Sequence, residues 1–293
     1  MEKPLPILDP AQAPDAPLDP SRASEKLASL RVDLARRVGE GALVAFSGGT
    51  DSAFLLWASA GVAAAKGGKV VALTTTSPST PGRDKEDAAA FARELGIAHR
   101  WRESLEVSKA EYVRNERDRC YHCKVELFRI AREVAGEEGL RWLLYGYNAS
   151  DHEDDRPGHR AAREWGVLAP LSDAGITKAE IRHLMSENGL SLAQKPSSPC
   201  LSSRIMTGIP VTPERLGDVE VMESVLRSAG VRTLRVRVCG TEDGSEFLRV
   251  EVPPEEMPRV LECRTALQEE SRARGYKWLT LDLAGYRTGG GVS

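Results

Sequence analysis

No apolar run in these 293 residues approaches the ~20 that a membrane span needs. The opening residues, MEKPLPILDPAQAP, lack the apolar core of a secretory signal, so the expectation is a cytoplasmic protein. Aromatic residues are scarce, at 5% of the chain, and the core must be built from Leu, Val, Ile and Ala. Neither sign of charge dominates: 40 Lys and Arg face 43 Asp and Glu, a formal net charge of −3. That balance argues against holding nucleic acid by bulk electrostatics. Five cysteines are an odd count, and without a signal they read as thiols, metal ligands or catalytic groups rather than a disulfide framework. Two common phosphate signatures are missing as well, the GK[ST] ending of a Walker loop and the GxGxxG of a dinucleotide fold.

What is present has the balance of a globular protein, 41% hydrophobic and 28% charged, at a length that suits two domains. Residues 1–20 hold six of the 17 prolines and predict a loosely docked tail. From Ser24 the stripe Leu27, Leu30, Leu34, Val38 predicts a helix. Strands follow at 42–46, 69–76, 97–103 and 141–148, with helices at 51–65, 83–95 and 121–138 between them. Such alternation predicts an α/β fold with a parallel sheet, whose ligands bind at the carboxyl ends of its strands. The pattern changes near residue 205: a helix at 213–228, strands at 233–239 and 246–252, a helix at 255–274 and a strand at 277–283 predict a small α+β domain. The expected division is a tail at 1–20, a nucleotide domain at 21–205 and a substrate or oligomerisation domain at 206–293. The loop 151–160, rich in Asp, Arg, Pro and Gly, is expected to be exposed.

SGGTDS (47–52) follows a strand and opens a helix. Gly48 and Gly49 let backbone approach an anion with no Cβ in the way. The helix start offers free N–H groups and the positive end of a dipole. Ser47, Thr50 and Ser52 add hydroxyls. Asp51 does not favour a bare phosphate, so it is expected to meet Mg²⁺ or an N–H. The plainer alternative is a strand–turn–helix with a capping serine. Asn148 and Asp151, at the end of another strand, are expected either at the nucleotide and its metal or in a turn closed by their own side chains.

Cys120 and Cys123 form CYHC, and Cys200 lies in KPSSPCLSSR. Cys239 and Cys263 read as small buried hydrophobes. Two ligands on one helical turn can share a metal, but a structural zinc wants four and three cysteines are at hand. Three thiolates with one open position suit a [4Fe–4S] cluster; a redox disulfide is the other reading. Lys195 and Arg204 flank Cys200 and would favour its thiolate, as a nucleophile or a ligand needs. Lys124 follows the CxxC and is expected at phosphate or in solvent. Arg235 and Arg237 alternate on one strand and so face one side, as a binder of substrate phosphate or carboxylate or as a solvated face. Glu223 is expected to join them, and Arg287 to meet phosphate across a subunit interface.

SGGTDS resembles the SGGxDS loop of the PP-loop ATP pyrophosphatases. With DRCYHCK (118–124), YGYNASD (145–151), DDRPG (154–158), KPSSPCLSSRI (195–205) and TLDLAGYRTGG (280–290) in one order, residues 24–290 resemble the LarE sulfur transferases. The resemblance implies a PP-loop fold, ATP, Mg²⁺ and a pyridinium dicarboxylate mononucleotide substrate. It implies an acyl-adenylate attacked by the sulfur-donating Cys200, in nickel-pincer cofactor synthesis for lactate racemase. In one branch of that family the cysteine gives up its own sulfur. In another, three cysteines, here Cys120, Cys123 and Cys200, hold a [4Fe–4S] cluster carrying an extra sulfide. A homo-oligomer, up to a hexamer, is implied too. Competing readings are a tRNA thiolase or amide-forming synthetase of the same superfamily, and a non-enzymatic ATP-binding redox sensor.

Overall fold

The computed structural model describes residues 18–151, 157–197 and 199–287. Most of the proline-rich start and the centre of the loop expected at 151–160 lie outside the described residues.

Helix α1 (Pro20–Gly39) begins four residues earlier than its apolar stripe suggests. Asp19 caps it, accepting from the N–H groups of Ser21 and Arg22 at 3.0 and 3.3 Å, and Pro20 takes the first turn, where a missing N–H costs nothing. Its buried face is Ala23, Leu27, Leu30, Leu34 and Val38. The parallel sheet follows in β–α steps: β1 (Ala42–Ala45), α2 (Thr50–Lys66), β2 (Val70–Thr76), α3 (Gly82–Glu94) and β3 (Ala98–Glu103). A short α4 (Ala110–Val113) precedes α5 (Arg119–Glu138), which stops at the left-handed Gly139 and returns the chain to β4 (Trp142–Tyr145).

Strand order is β3-β2-β1-β4, all parallel, with Ala42 level with Val70 on one side and Trp142 on the other. Leu168 adds one parallel bridge beyond β4 at Leu144. The chain therefore leaves β1 toward β2 and β4 toward Leu168. The crevice between the carboxyl ends of β1 and β4 is the point where the winding reverses, the usual ligand position in such sheets. Helix α1 packs with α2 and with two later helices, α7 (Pro170–Asp173) and α8 (Lys178–Glu187), on one face. Helices α5 and α6 (Pro157–Glu164) cover the other.

A second apolar cluster surrounds a three-stranded sheet. Helix α9 (Pro213–Ser228) leads to β5 (Arg235–Gly240), antiparallel to β6 (Glu246–Glu251), which pairs in parallel with β7 (Leu279–Leu281). Thr212 caps α9 through the N–H of Arg215, with Pro213 in its first turn. The helix expected at 255–274 is two: α10 (Met257–Glu262) and α11 (Arg264–Ala273). Cys263 between them leaves helical backbone angles, at φ −93° and ψ 12°, and its thiol donates to the carbonyl of Val260. Tyr112, Leu201 and Ile205 belong to this cluster, so the segment bearing Cys200 is packed into the second core, while Leu192 and Ala193 before it belong to the first. No helix among the described residues is long and apolar enough to cross a membrane.

Candidate functional site

A cavity of about 270 Å³ opens at the carboxyl end of the parallel sheet. Ser47, Gly49, Asp51 and Ser52 line one side, Cys123 and Lys124 of α5 another, and Cys200 closes it. Two glycines make this geometry possible. Gly48 has φ +74°, and a Cβ there would lie 2.6 Å from the carbonyl oxygen of Asp84. Gly146, just after β4, lets that strand pass against α2, where a Cβ would meet the N–H of Ser52 at 2.6 Å. The loop is braced internally. Ser52 Oγ accepts from the N–H of Ser47 at 3.3 Å and donates to the carbonyl of Gly49 at 3.0 Å.

Not every expected loop residue faces this space. Thr50 is buried, its hydroxyl 3.4 Å from the carbonyl of Leu192 on the segment leading to Cys200. Asp51 is paired with Lys178 of α8 at 2.5 Å. Burial raises its carboxyl above the ordinary range more than Lys178 lowers it, and Asp151 adds to the rise. Asn148 and Asp151 close a turn on each other. Asn148 Oδ1 accepts from the N–H of Ser150 at 2.9 Å, and Asp151 accepts from the N–H of Asn148 at 3.2 Å. Asp151 nonetheless stands within electrostatic range of Asp51. A magnesium ion bound to phosphates needs one or two carboxylates, which these two could offer.

The three cysteines gather at the far end. Cys120 and Cys200 are exposed and Cys123 is half-buried. The Cys123 thiol is pushed up to about 12, first by burial and then by Cys200, Glu106 and Cys120, against Lys124. Beneath them Glu106 is buried, its carboxylate accepting from the hydroxyls of Ser77, Ser79 and Ser104. Among the described residues no three His, Cys, Asp or Glu side chains stand close enough to hold one metal ion. A cluster with iron at each corner draws its thiolates from further apart than a single ion does. Cys123 lies within electrostatic range of both Cys200 and Cys120, and three thiols are the donor type that such a cluster takes.

The cations that flank Cys200 in sequence are engaged elsewhere. Arg204, 1% exposed, pairs with the fully buried Glu223 at 2.9 Å and donates to the carbonyls of Pro199 and Cys200. Lys195 is held by Gly48, Asp84 and Asp87. The guanidinium beside the thiols is Arg119, missed in the sequence reading. It bonds Cys120, is raised by the nearby Cys200, and donates to the carbonyl of Ser202 at 2.8 Å. An arginine at the first position of the CxxC helix, just before Cys120, was the available signal.

On the other side of the Cys200 segment lies a second cavity of about 280 Å³, which shares Pro81 and Asp84 with the first. Arg83, Lys195, Arg204, Arg227, Arg232 and Arg235 line it. Arg235 lies 5.2 Å over the ring of Tyr286 and donates to the carbonyl of Ser197 at 3.2 Å. Burial, with Arg204 close by, lowers its pKa. Arg237 faces the same segment, donating to Ser203, but pairs with Glu251 at 2.7 Å and does not line the cavity. Glu223 is the anchor of Arg204 and Arg227. Arg287 is exposed.

No protein-family model matches the chain. An uncharacterized protein of Synechocystis is 36% identical over 250 residues, 85% of this chain and 90% of its own length. The pyridinium-3,5-bisthiocarboxylic acid mononucleotide synthase of Lactiplantibacillus plantarum is 30% identical over 247 residues, 84% of this chain and 87% of its own. An uncharacterized protein of Methanocaldococcus jannaschii is 25% identical over 192 residues, 65% and 73% respectively. An all-parallel sheet with an SGGTDS turn at its winding reversal, matched over most of its length to that synthase, places this chain in the LarE family, with the PP-loop fold.

Proposed function

We propose that the chain is an ATP-dependent sulfur transferase acting on a pyridinium dicarboxylate mononucleotide, as the name of its relative from Lactiplantibacillus indicates for that protein. One observation carries the reading: Cys200 and the phosphate loop, distant in sequence, line the same cavity. ATP occupies this cavity with its β and γ phosphates on Ser47, Gly49 and Ser52. A substrate carboxylate oxygen bonds to the α phosphorus, the α–β bridge breaks and pyrophosphate leaves. Backbone N–H groups at the start of α2 take the charge that develops there. The thiolate of Cys200 then attacks the acyl carbon, and AMP leaves with the electron pair of the C–O bond. Loss of the Cα proton of residue 200 to a solvent base, with the C–H electron pair forming Cα=Cβ, breaks Cβ–S and leaves a thiocarboxylate that carries the C–S pair, together with dehydroalanine. Asp51 and Asp151 would hold Mg²⁺, which offsets phosphate charge. In the alternative branch Cys200 keeps its sulfur, and Cys120, Cys123 and Cys200 would hold a [4Fe–4S] cluster, which when bound supplies an open iron for a transferable sulfide.

Arg235 and its neighbours in the basic cavity take the substrate phosphate, with Lys124 at the nucleotide phosphates and Arg287 serving a neighbouring subunit. Residues 21–205 then form the nucleotide domain and 206–293 the substrate and oligomerisation domain of a homo-oligomer serving nickel-pincer cofactor synthesis. The test is AMP and pyrophosphate formation by the purified chain, with and without the pyridinium dicarboxylate mononucleotide. Formation that requires the mononucleotide, with sulfur transfer abolished in Cys200→Ala, is expected. ADP as product, or stimulation by tRNA instead, would sink the reading. Iron and acid-labile sulfide, measured after purification without oxygen, decide between the two sulfur sources.

A further inference from the structure

Lys195 is the least expected charge in the site. Its side chain is 7% exposed, although it lies in a loop rather than in a helix or strand. A buried ammonium is stable only when each of its three protons finds an acceptor. Here they do: the carbonyl of Gly48 at 2.9 Å, Asp84 at 2.8 Å and Asp87 at 2.7 Å. Two of these neutralise charge on α3. The third is a backbone oxygen of the phosphate loop, and it has a geometric consequence.

The C=O and N–H of one trans peptide point in opposite directions. Holding the Gly48 carbonyl on Lys195 therefore turns the Gly49 N–H the other way, toward Ser47 and the cavity they both line. Among the described residues that N–H has one hydrogen-bond contact, Ser47 Oγ at 3.4 Å. This is long for a hydrogen bond and is readily exchanged for a phosphate oxygen. Residue 195 is fixed from its main chain as well. Its carbonyl accepts from Arg182 at 2.8 Å and from the Thr50 hydroxyl at 3.5 Å. Five residues later the same segment delivers Cys200. Gly48 itself cannot drift, since Asp84 and Ala88 of α3 crowd it.

We propose that Lys195 is a positioning residue for both half-reactions. It presents the Gly49 N–H to the departing pyrophosphate, and it ties the Cys200 segment to the loop on which pyrophosphate forms. The inference rests on the ATP-dependent reading above. A lysine that only neutralised Asp84 and Asp87 would act through its charge alone, which Met and Gln remove equally, so the two variants would then behave alike.

The experiment compares pyrophosphate and AMP as inhibitors of ATP turnover by the full chain, in wild type, Lys195→Met and Lys195→Gln, with thermal melts alongside. Loss of one aligned donor to a charged oxygen weakens binding by about 10-fold or more. Lys195→Met is therefore expected to weaken pyrophosphate at least ~10-fold and AMP less than ~2-fold. Lys195→Gln keeps an N–H for the Gly48 carbonyl and is expected to fall between wild type and Met. Equal losses for both inhibitors, unchanged pyrophosphate inhibition in a folded Met variant, or a Gln variant identical to Met would each overturn the proposal. If Lys195→Met does not fold, Lys195→Gln decides alone, since selective weakening of pyrophosphate supports the proposal and equal or no weakening overturns it. A wild type with no ATP turnover would overturn the underlying reading first, and is seen before any variant is compared.

Discussion

Gly48→Ala and Gly49→Ala change adjacent residues of one loop by one methyl group each, and the structure separates them sharply. At Gly48 the backbone sits at φ +74°, where an alanine costs about 1–2 kcal/mol. Its Cβ would also stand 2.6 Å from the Asp84 carbonyl oxygen and 3.3 Å from the Cβ of Ala88. Both belong to α3, whose backbone must shift, and overpacking of this kind costs a further ~1–3 kcal/mol. At Gly49 the backbone is ordinary, with φ −84° and ψ 157°. A Cβ there meets only the tip of Ser47, at 3.3 Å, and that hydroxyl can rotate away. Gly48→Ala should therefore lose about 2–5 kcal/mol, and Gly49→Ala less than about 0.5 kcal/mol. In a chain of this size that is a drop of roughly 4–15 °C in melting temperature for the first, against about 1 °C for the second. Parallel thermal and urea unfolding of the two variants makes the comparison. Matching melts would refute the claim that the loop's geometry depends on Gly48 in particular.

Three further outcomes follow from named contacts. With its thiol near 12 instead of the ordinary 9.0, Cys123 has roughly a thousandth of the thiolate of an unperturbed cysteine at mildly alkaline pH. Mass-spectrometric timing of alkylation should find it about 1000-fold slower than a model thiol, with the exposed Cys120 as internal reference; comparable labelling of the two would refute this. Arg204→Met takes from the fully buried Glu223 the more buried of its two cations, leaving Arg227, and frees the Cys200 carbonyl, so stability by urea unfolding should fall by about 3–5 kcal/mol and sulfur transfer should fall more than pyrophosphate release. Glu126 is buried between Arg129 and Lys109, which hold its carboxyl down to about 2 from the ordinary 4.5. Its contribution is complete above the unfolded value and is lost as pH falls from there through 2, so the stability gap between wild type and Glu126→Gln should close over that window.

The half with the parallel sheet was legible because its signals are local. A short apolar run, two glycines and a helix of buried small residues specify β1, the turn and α2 within a residue or two, whatever the rest of the chain does. Helix α8 went unread although Thr177-Lys-Ala-Glu180 is a capping box, with Thr177 Oγ1 accepting from the N–H of Glu180 and the Glu180 carboxylate from the N–H of Thr177. Its apolar face is only Ile181, Leu184 and Met185, too short to announce a period. The interruption at Cys263 was invisible for the opposite reason: the apolar pattern runs through it, and a single thiol-to-carbonyl contact marks the break.

Charge pairing was the part that sequence order misassigned, and the reason is physical. Lys195 and Arg204 sit five and four residues from Cys200, and proximity in sequence suggested that they serve its thiolate. Each side chain answers to whatever carboxylate its own side meets, Arg204 from the short 3-10 turn Leu201–Arg204 that follows Cys200. Lys195 meets α3 and the phosphate loop; Arg204 meets Glu223 of α9. Asp51, expected to meet Mg²⁺ or an N–H, meets the ammonium of Lys178 from a helix the sequence did not reveal. The thiols, in turn, take their cation from Arg119, one residue from Cys120 but far from Cys200 in sequence. A buried charge must find a partner, so the fold allots cations by which carboxylates it buries rather than by which reactive group stands nearby. Under the proposed function, the lysine expected to favour the Cys200 thiolate is better placed to orient the SGGTDS loop, and the arginine expected to favour it as well is better placed to hold the Cys200 backbone.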